Sequence, residues 1–357
     1  MNYIVFDLEW NQSPNGPAGE HPRMPFEIIE IGAVRLDEKL NSTGEFQRLI
    51  KPKLYTRFHK YIKDILNYSE EDLMRDGVPF KDACSEFLNW CDENSEDGYV
   101  FCSWGPSDLY YLQTNMDFYN MKKLQYPLKF YDIQQIYAEK YSKDGNICKL
   151  EKAVKRLKLS QDRPFHAAIN DAYYTARIMQ EGKLGKFSEK YVYDTYRHPR
   201  KRGDSIHDFH GGIFEEILGE YASKKDALSD PRVTDIRCVK CGKITSNQIK
   251  LFHVNNNTGL SVGFCAKHGR MLSTLKFKPA SDSMDTVFVQ KKVVSINKRK
   301  YGDIQKRKDI LSEKKKERDR KYQERKGIEN KSSKDIVRDP KKNTRKSFRQ
   351  GNNQGNN

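Results

Sequence analysis

The sequence predicts an α/β domain over residues 1–185, followed by a small cysteine-bearing module and a basic tail. Three observations carry that reading. Strand-length apolar runs come first on their own and then alternate with helical patterns. Cys and His recur as paired knuckles after residue 236, and apolar content collapses after residue 291.

Residues 1–10 read as a buried strand in which Tyr3-Ile4-Val5-Phe6 runs into Asp7-Leu8-Glu9. A Pro/Gly-rich loop from Ser13 to Pro25 follows. Glu27 to Leu36 and Gly44 to Ile50 read as two further strands, with Asp37 to Thr43 as their turn. Ser69 with Glu70-Glu71-Asp72 opens a helical region, because Ser caps and acids favour the first turn. Val78-Pro79 interrupts that region, and Phe80 to Cys91 resumes it with apolar residues at helical spacing. Tyr99 to Cys102 is a short buried strand, and Leu109 to Met121 a helix. Phe130 to Tyr141, Leu150 to Leu157 and Ala167 to Met179 also carry helical patterns, and the domain closes near residue 185. Residues 186–235 read as a linker or extension, 236–290 as the cysteine-bearing module, and 291–357 as a mostly disordered basic tail. Within that tail Glu313 to Lys326 suits a charged single helix, and Lys341 to Asn357 reads as disordered.

At 357 residues the chain allows two or three domains of about 100–200 residues each. Hydrophobic residues make up 36% and charged residues 32%, with a mean hydropathy of −0.88, too polar for one fully packed globule. No run of about 18 apolar residues occurs, so no membrane-spanning helix is expected. Met1 to Asp7 lacks a basic segment and meets an acid at once, which argues against a signal peptide. Seven cysteines, with Cys84, Cys91, Cys102 and Cys148 in apolar segments, argue against a disulfide scaffold, and the cytoplasm is the expected compartment. The net charge of +16 is uneven: residues 291–357 hold 24 basic and 9 acidic residues, a net of +15, which leaves +1 for the first 290. Residues 1–185 hold 24 basic and 28 acidic residues, a net of −4.

Within that slightly acidic region, Asp7 and Glu9 stand two apart on a strand and project from one face. Two carboxylates at the end of a buried strand repel unless a cation neutralises them, although a solvated strand end would also hold them. Asp108 follows the Tyr99 to Cys102 strand, where strand-end acids can point into a cleft. Asp171 lies on a helix whose other faces are apolar, and His166 stands five residues before it. Each alone reads as a cap or a solvated residue. All five in this order are not explained by structure alone.

The order D-x-E, then D, then H-x4-D resembles the DEDDh (DnaQ-like) family of 3′-to-5′ exonucleases. The supporting runs are Ile4-Val5-Phe6-Asp7-Leu8-Glu9, Ile28-Ile29-Glu30-Ile31-Gly32-Ala33-Val34, and Ser103-Trp104-Gly105 ahead of Asp108. The Ile-Glu-Ile-Gly-Ala strand and the Trp-Gly step look most like the KapD/Eri-type branch, whose members often act on RNA. The resemblance covers about residues 1–185 and implies an RNase H-like fold, a five-stranded mixed sheet flanked by helices. It also implies two Mg²⁺ or Mn²⁺ ions, since phosphodiester hydrolysis needs an activated water and a stabilised leaving oxygen, and hard cations take oxygen ligands. By resemblance, Asp7 bridges both ions, Glu9 and Asp171 hold the nucleophile-side ion, and Asp108 holds the other through water. His166 is then the general base, since an imidazole with a pKa of ~6.5 exchanges protons near neutrality. The chain departs from the common family wording after Glu9, where it carries Trp10-Asn11-Gln12 in place of a small or hydroxyl residue. Trp10 either stacks on the terminal base or fills the core.

Cys238-Val239-Lys240-Cys241-Gly242 and Cys265-Ala266-Lys267-His268-Gly269 form CxxC and CxxH knuckles, with 23 residues between Cys241 and Cys265. Three thiolates and an imidazole suit one tetrahedral, structural Zn²⁺, in a zinc-ribbon-like module with strands at Ile244 to Phe252 and Val262 to Phe264. A Gly directly after each second ligand suits a tight turn. His198, His207, His210 and His253 read as ordinary loop or strand residues.

The expected activity is metal-dependent 3′-to-5′ exonuclease action on single-stranded or frayed nucleic-acid ends, RNA slightly favoured over DNA. The zinc module and tail would hold the nucleic acid or attach the enzyme to a ribonucleoprotein. Two alternatives stand beside it. A catalytically silent nucleic-acid-binding adaptor has no need of His166 among four repelling acids, and an RNase H-type endonuclease lacks the His-x4-Asp arrangement.

Overall fold

A computed structural model describes the chain except residues 143–145, 183, 185–188, 281–285 and 337–357. The strands are β1 (Asn2–Gln12), β2 (Phe26–Leu36), β3 (Ser42–Leu49), β4 (Tyr99–Ser103), β5 (Lys129–Asp132), β6 (Val192–Tyr193), β7 (Ile206–His210), β8 (Ile213–Tyr221), β9 (Ser246–Asn255), β10 (Thr258–Cys265), β11 (Gly269–Pro279) and β12 (Val287–Ile296). The helices are α1 (Lys60–Lys63), α2 (Glu70–Asp76), α3 (Phe80–Asp92), α4 (Ser107–Phe118), α5 (Ile133–Tyr141), α6 (Leu150–Leu157), α7 (Ala168–Glu181), α8 (Lys224–Ser229), α9 (Pro231–Thr234) and α10 (Lys298–Ile336). Two compact units result: Met1–Thr234 with Phe277–Lys292, and Asp235–Lys276 with the chain from Val293 on.

The first unit is built on a mixed sheet of order β3-β2-β1-β4-β5-β6. β1 lies antiparallel to β2 and parallel to β4, so the strand that carries Asp7 and Glu9 is central. Alternation along β1 sends Tyr3 and Val5 into a core with residues of α5, α6 and α7, and Ile4, Phe6 and Leu8 into a core with residues of α3 and α4. Helices thus cover both faces, which is why β1 reads as a continuous apolar run rather than an alternating one. Period two then places Asp7 and Glu9 on the face that α7 covers.

The structure corrects the sequence reading at three points. The sheet has six strands, not five, because β6 pairs antiparallel with β5 after the expected end of the domain; only two residues long, it leaves no periodic signal. Phe130 to Asp132 is a strand paired in parallel with β4, and the helix begins at Ile133. A run of two buried aromatics fits either period, and Asp132 decides the boundary by accepting a hydrogen bond from Gln135 N at 2.9 Å as the helix cap. The tail, read as mostly disordered, continues β12 to Ile296 and is helical over Lys298–Ile336, a range that contains Glu313 to Lys326. Opposite charges spaced i,i+4, as in Glu317–Lys321 and Arg320–Glu324, support that helix. The expected boundary at residue 185 and the expected disorder of Lys341 to Asn357 lie outside the described residues.

Over residues 186–235 the sequence reading named no elements, whereas the structure holds β6, β7, β8, α8 and α9. β7 and β8 form a hairpin, with Ile206 opposite Ile217, and β12 lies next to β8. In the second unit β9, β10 and β11 are neighbours in antiparallel order, with Val262 facing Ile249 on one side and Leu272 on the other.

Candidate active site

The site is built where β1, α4 and α7 meet. Asp7 pairs in register with Gly32 of β2, and Glu9 with Glu30. Gly32 is required there: a Cβ on it would lie 2.0 Å from Ile169 N, so the bare backbone lets the first turn of α7 press onto the sheet. That close approach delivers Asp171, in the first turn of α7, to the strand acids. Asp108 arrives from the opposite layer, in the first turn of α4, and its Oδ1 accepts a hydrogen bond from Leu8 N at 3.3 Å.

His166 stands on the loop before α7 with φ 64, a left-handed conformation uncommon outside glycine. Asn67 holds the loop there, donating from Nδ2 to Phe165 O at 3.0 Å and His166 O at 3.3 Å. One ligand atom each of Glu9, His166 and Asp171 lies within 4.8 Å of the others. Residues separated by more than 150 positions therefore converge on one point.

The electrostatics of this cluster are unfavourable for bare carboxylates. Burial, reinforced by Asp108, Asp171, Glu9 and Glu30, holds the Asp7 carboxyl well above its ordinary range. Burial and then Asp171, Glu30 and Asp108 do the same to Glu9. Asp108 and Asp171 are pushed up to about 7, chiefly by burial and partly offset by backbone N–H groups, Leu8 for Asp108 and His166 for Asp171. Asp171 Oδ1 is buried and, among the described residues, has no hydrogen-bond partner. Hard oxygen donors gathered in this way, one of them orphaned, fit a divalent cation.

Three residues of the site were not singled out by sequence. Glu30 is fully buried, accepting from Gln47 Nε2 at 2.7 Å and from Ala168 N at 3.1 Å. It thereby caps α7, whose own Ala167 offers no side-chain cap. An acid inside an otherwise apolar strand was the available signal. Glu151 lies 3.7 Å from His166 Nε2, and Asn67 anchors the loop; neither contact is visible without the fold. Trp10 is half-buried, its ring 4.9 Å from Tyr111 and 6.2 Å from Phe26.

The second unit brings Cys238, Cys241, Cys265 and His268 together. Cys241 and Cys265 Sγ are 3.8 Å apart, and His268 Nδ1 lies 3.4 Å from Cys238 Sγ and 3.7 Å from Cys265 Sγ. Bonds of about 2.3 Å to sulfur and 2.0 Å to nitrogen at tetrahedral angles give edges of about 3.8 and 3.5 Å, so the spacing fits zinc and not a disulfide. Gly242 and Gly269 turn at φ 70 and 82, as tight knuckles require. Burial raises the Cys238 thiol, whereas the backbone amides of His268 and Lys267 outweigh burial and lower that of Cys265.

Residues 4–179 match the family model described as Exonuclease, RNase_T. Comparison with curated protein sequences gives no match. Among solved structures, the nuclease domain of 3′hExo, a DEDDh family member bound to rAMP, is similar at 19% identity and TM-score 0.43, covering 51% of this chain and 92% of that one. S. pombe Pop2p in its Mg²⁺ and Mn²⁺ bound form gives 19% and 0.40, covering 52% and 84%. Cell-death related nuclease 4 gives 18% and 0.42, covering 50% of this chain and 62%, under two thirds, of its own length. At those scores the likeness rests on the family model and on the ordered acids around His166. Over residues 4–179, just under half its length, this chain is similar to the exonuclease family.

Proposed function

We propose that the first unit is a metal-dependent 3′-to-5′ exonuclease of the DEDDh type, nearest the KapD/Eri-type branch, acting on single-stranded or frayed ends with RNA favoured over DNA. The observation that carries the reading is the convergence of Glu9, His166 and Asp171 within 4.8 Å, beside Asp7 and Asp108. Asp7, Glu9, Asp108 and Asp171 would hold two Mg²⁺ or Mn²⁺ ions. When bound, such ions lower the pKa of a water and neutralise charge on the phosphate. Asp171 would offer its orphaned Oδ1 as a ligand, and Asp108, fixed by Leu8 N, would be held for the same purpose. His166 would take the proton of the attacking water at a ring nitrogen, and Glu151 beside Nε2 would stabilise the imidazolium. Trp10, braced by Tyr111 and Phe26, would stack on the terminal base. In the second unit Cys238, Cys241, Cys265 and His268 would bind one structural zinc ion, a closed set that leaves no position for substrate.

The test uses 5′-labelled RNA and DNA oligomers, single-stranded and duplex, with Mg²⁺ or Mn²⁺. Stepwise shortening from the 3′ end that stops in Asp7→Asn supports the reading. Internal fragments would instead indicate an endonuclease, and binding without cleavage an adaptor.

A further inference from the structure

Charge divides differently in the folded units than along the sequence. The first unit holds 36 basic and 39 acidic residues, net −3, and the second 29 basic and 10 acidic, net +19. The tail supplies much of this. The zinc segment Asp235–Lys276, however, has seven basic residues of its own against a single acid, Asp235. One Zn²⁺ with three thiolates and a neutral imidazole adds a formal −1. Compensating that centre needs one cation, so the rest of the excess is unexplained by the metal.

The excess is concentrated at the knuckles. Lys240 stands between Cys238 and Cys241, Lys267 stands at the equivalent place between Cys265 and His268, and Lys243 follows Gly242. Because all four ligand atoms lie within 4.8 Å of one another, the backbone of Lys240 and Lys267, each inside a knuckle, and of Lys243, two residues after Cys241, runs beside one Cys/His cluster. All three are exposed, as are Arg237 and Lys250, and none is ion-paired among the described residues. In the chain between Lys243 and Lys250, Ser246, Asn247 and Gln248 are exposed, with Ile244 the large apolar exception at 57% exposure. A protein interface would need aromatic or apolar anchors. A phosphate backbone needs only cations and polar donors. The base of α10 joins this unit firmly: Tyr301 and Ile304 pack with Ile249, Leu260, Val262 and Leu272, and the Arg270 guanidinium lies 4.4 Å from the Tyr301 ring centroid.

We propose that the zinc knuckles are a phosphate-backbone binding site for nucleic acid, with Lys240, Lys243 and Lys267 as its contacts. The metal fixes the turns that present them. This deepens the reading of the chain as a nuclease by adding a holding site, but binding is measured apart from cleavage. The experiment uses the zinc-loaded full chain carrying Asp7→Asn, without added Mg²⁺ or Mn²⁺. Anisotropy of a labelled 20-nucleotide single strand is followed across salt concentrations. At about 0.7 counterions released per phosphate contact on single strands, the Lys240→Ser/Lys243→Ser/Lys267→Ser variant should flatten the slope of log affinity against log salt by about 2. The triple Lys→Arg variant at the same positions should bind like the parent, which separates lost charge from a damaged fold, and zinc content should be equal in all. A control with Lys39, Lys81 and Lys122 changed to Ser should also match the parent. An unchanged slope in the knuckle variant overturns the proposal, as does preferential binding of an acidic polypeptide over the oligomer. If the Asp7→Asn chain still shortens the oligomer, the cleavage reading fails and the binding measurement stands.

Discussion

The two candidate metal-binding clusters of this chain present opposite problems. In the first unit, carboxylates are crowded into a buried place and remain strained: their pKa values are raised, and one oxygen has no partner among the described residues. In the second, a thiolate and imidazole set is closed and lies at the edge lengths of a tetrahedron. Hard donors that resist being charged make a site that gains from a cation and still accepts substrate oxygens, whereas a closed soft set does its work by holding a fold. The same difference predicts where damage falls. Removing the second unit's metal should unfold it; removing a ligand from the first should leave a folded, inactive and sturdier protein.

The largest effect therefore belongs to zinc. A structural Zn²⁺ site contributes an apparent ~10–16 kcal/mol to folding, more than a sheet of β9 to β11 can replace. Cys238→Ser or a strong chelator should melt the second unit, seen as loss of amide protection across residues 246–276. A chain that keeps that protection without zinc would break the comparison. Next comes Asp7→Asn, which should lower kcat by about 10²–10³-fold, the scale of losing one charge-stabilising group, with the melting temperature no lower than that of the parent. Retained activity would sink the catalytic assignment.

A third effect has the opposite sign. A carboxyl whose pKa is raised on folding costs stability as pH climbs from the unfolded value near 4 through the folded one, here about 7 for Asp171. Metal-free Asp171→Asn should accordingly be more stable than the parent by about 1–3 kcal/mol at pH 8, with the difference vanishing below pH 4. Mn²⁺ should raise the melting temperature of the parent and much less that of the variant. A destabilised variant at pH 8 would mean that Asp171 has a partner that compensates it.

The legibility of the two clusters in the sequence follows the same line. The convergence of Cys238, Cys241, Cys265 and His268 was readable because all four belong to two short knuckles, so spacing alone brought them together. The acids were readable only as an ordered set, since Asp7, Asp108 and Asp171 come from three elements. What positions them stayed hidden. Glu30 looked like part of a strand, and its work, capping α7, depends on a helix that arrives 138 residues later in the chain. Gly32 stands inside an apolar strand run, but its reason, the close approach of Ile169 N, is a tertiary one. The sixth strand and the start of α5 failed for a local cause: runs of two or three residues carry no period.

Glu30 gives a smaller test of the same contrast, because it is an acid beside the site that the fold already satisfies. Glu30→Gln keeps the shape and one acceptor but weakens the cap on α7, which is worth about 1 kcal/mol. Activity should fall several-fold through kcat at nearly unchanged KM, with a higher Mn²⁺ requirement, since Asp171 would be less well placed. A shift in KM alone would place Glu30 on the substrate instead.

Trp10 carries the smallest effect and decides how far the site extends beyond its acids. Its ring is braced by Tyr111 and Phe26, yet the residue is only half-buried and directly follows Glu9. Bracing without full burial suits a platform, because stacking a terminal base on a ring already fixed costs little ordering. Trp10→Leu retains apolar volume against the neighbouring rings and removes the aromatic face, so KM for a single-stranded oligomer should rise about fivefold, near 1 kcal/mol of stacking. Melting temperature should change little, and Trp10→Phe should restore most of the affinity. A drop in stability at constant KM would return Trp10 to the core and shrink the substrate contacts of the first unit to its acids and His166.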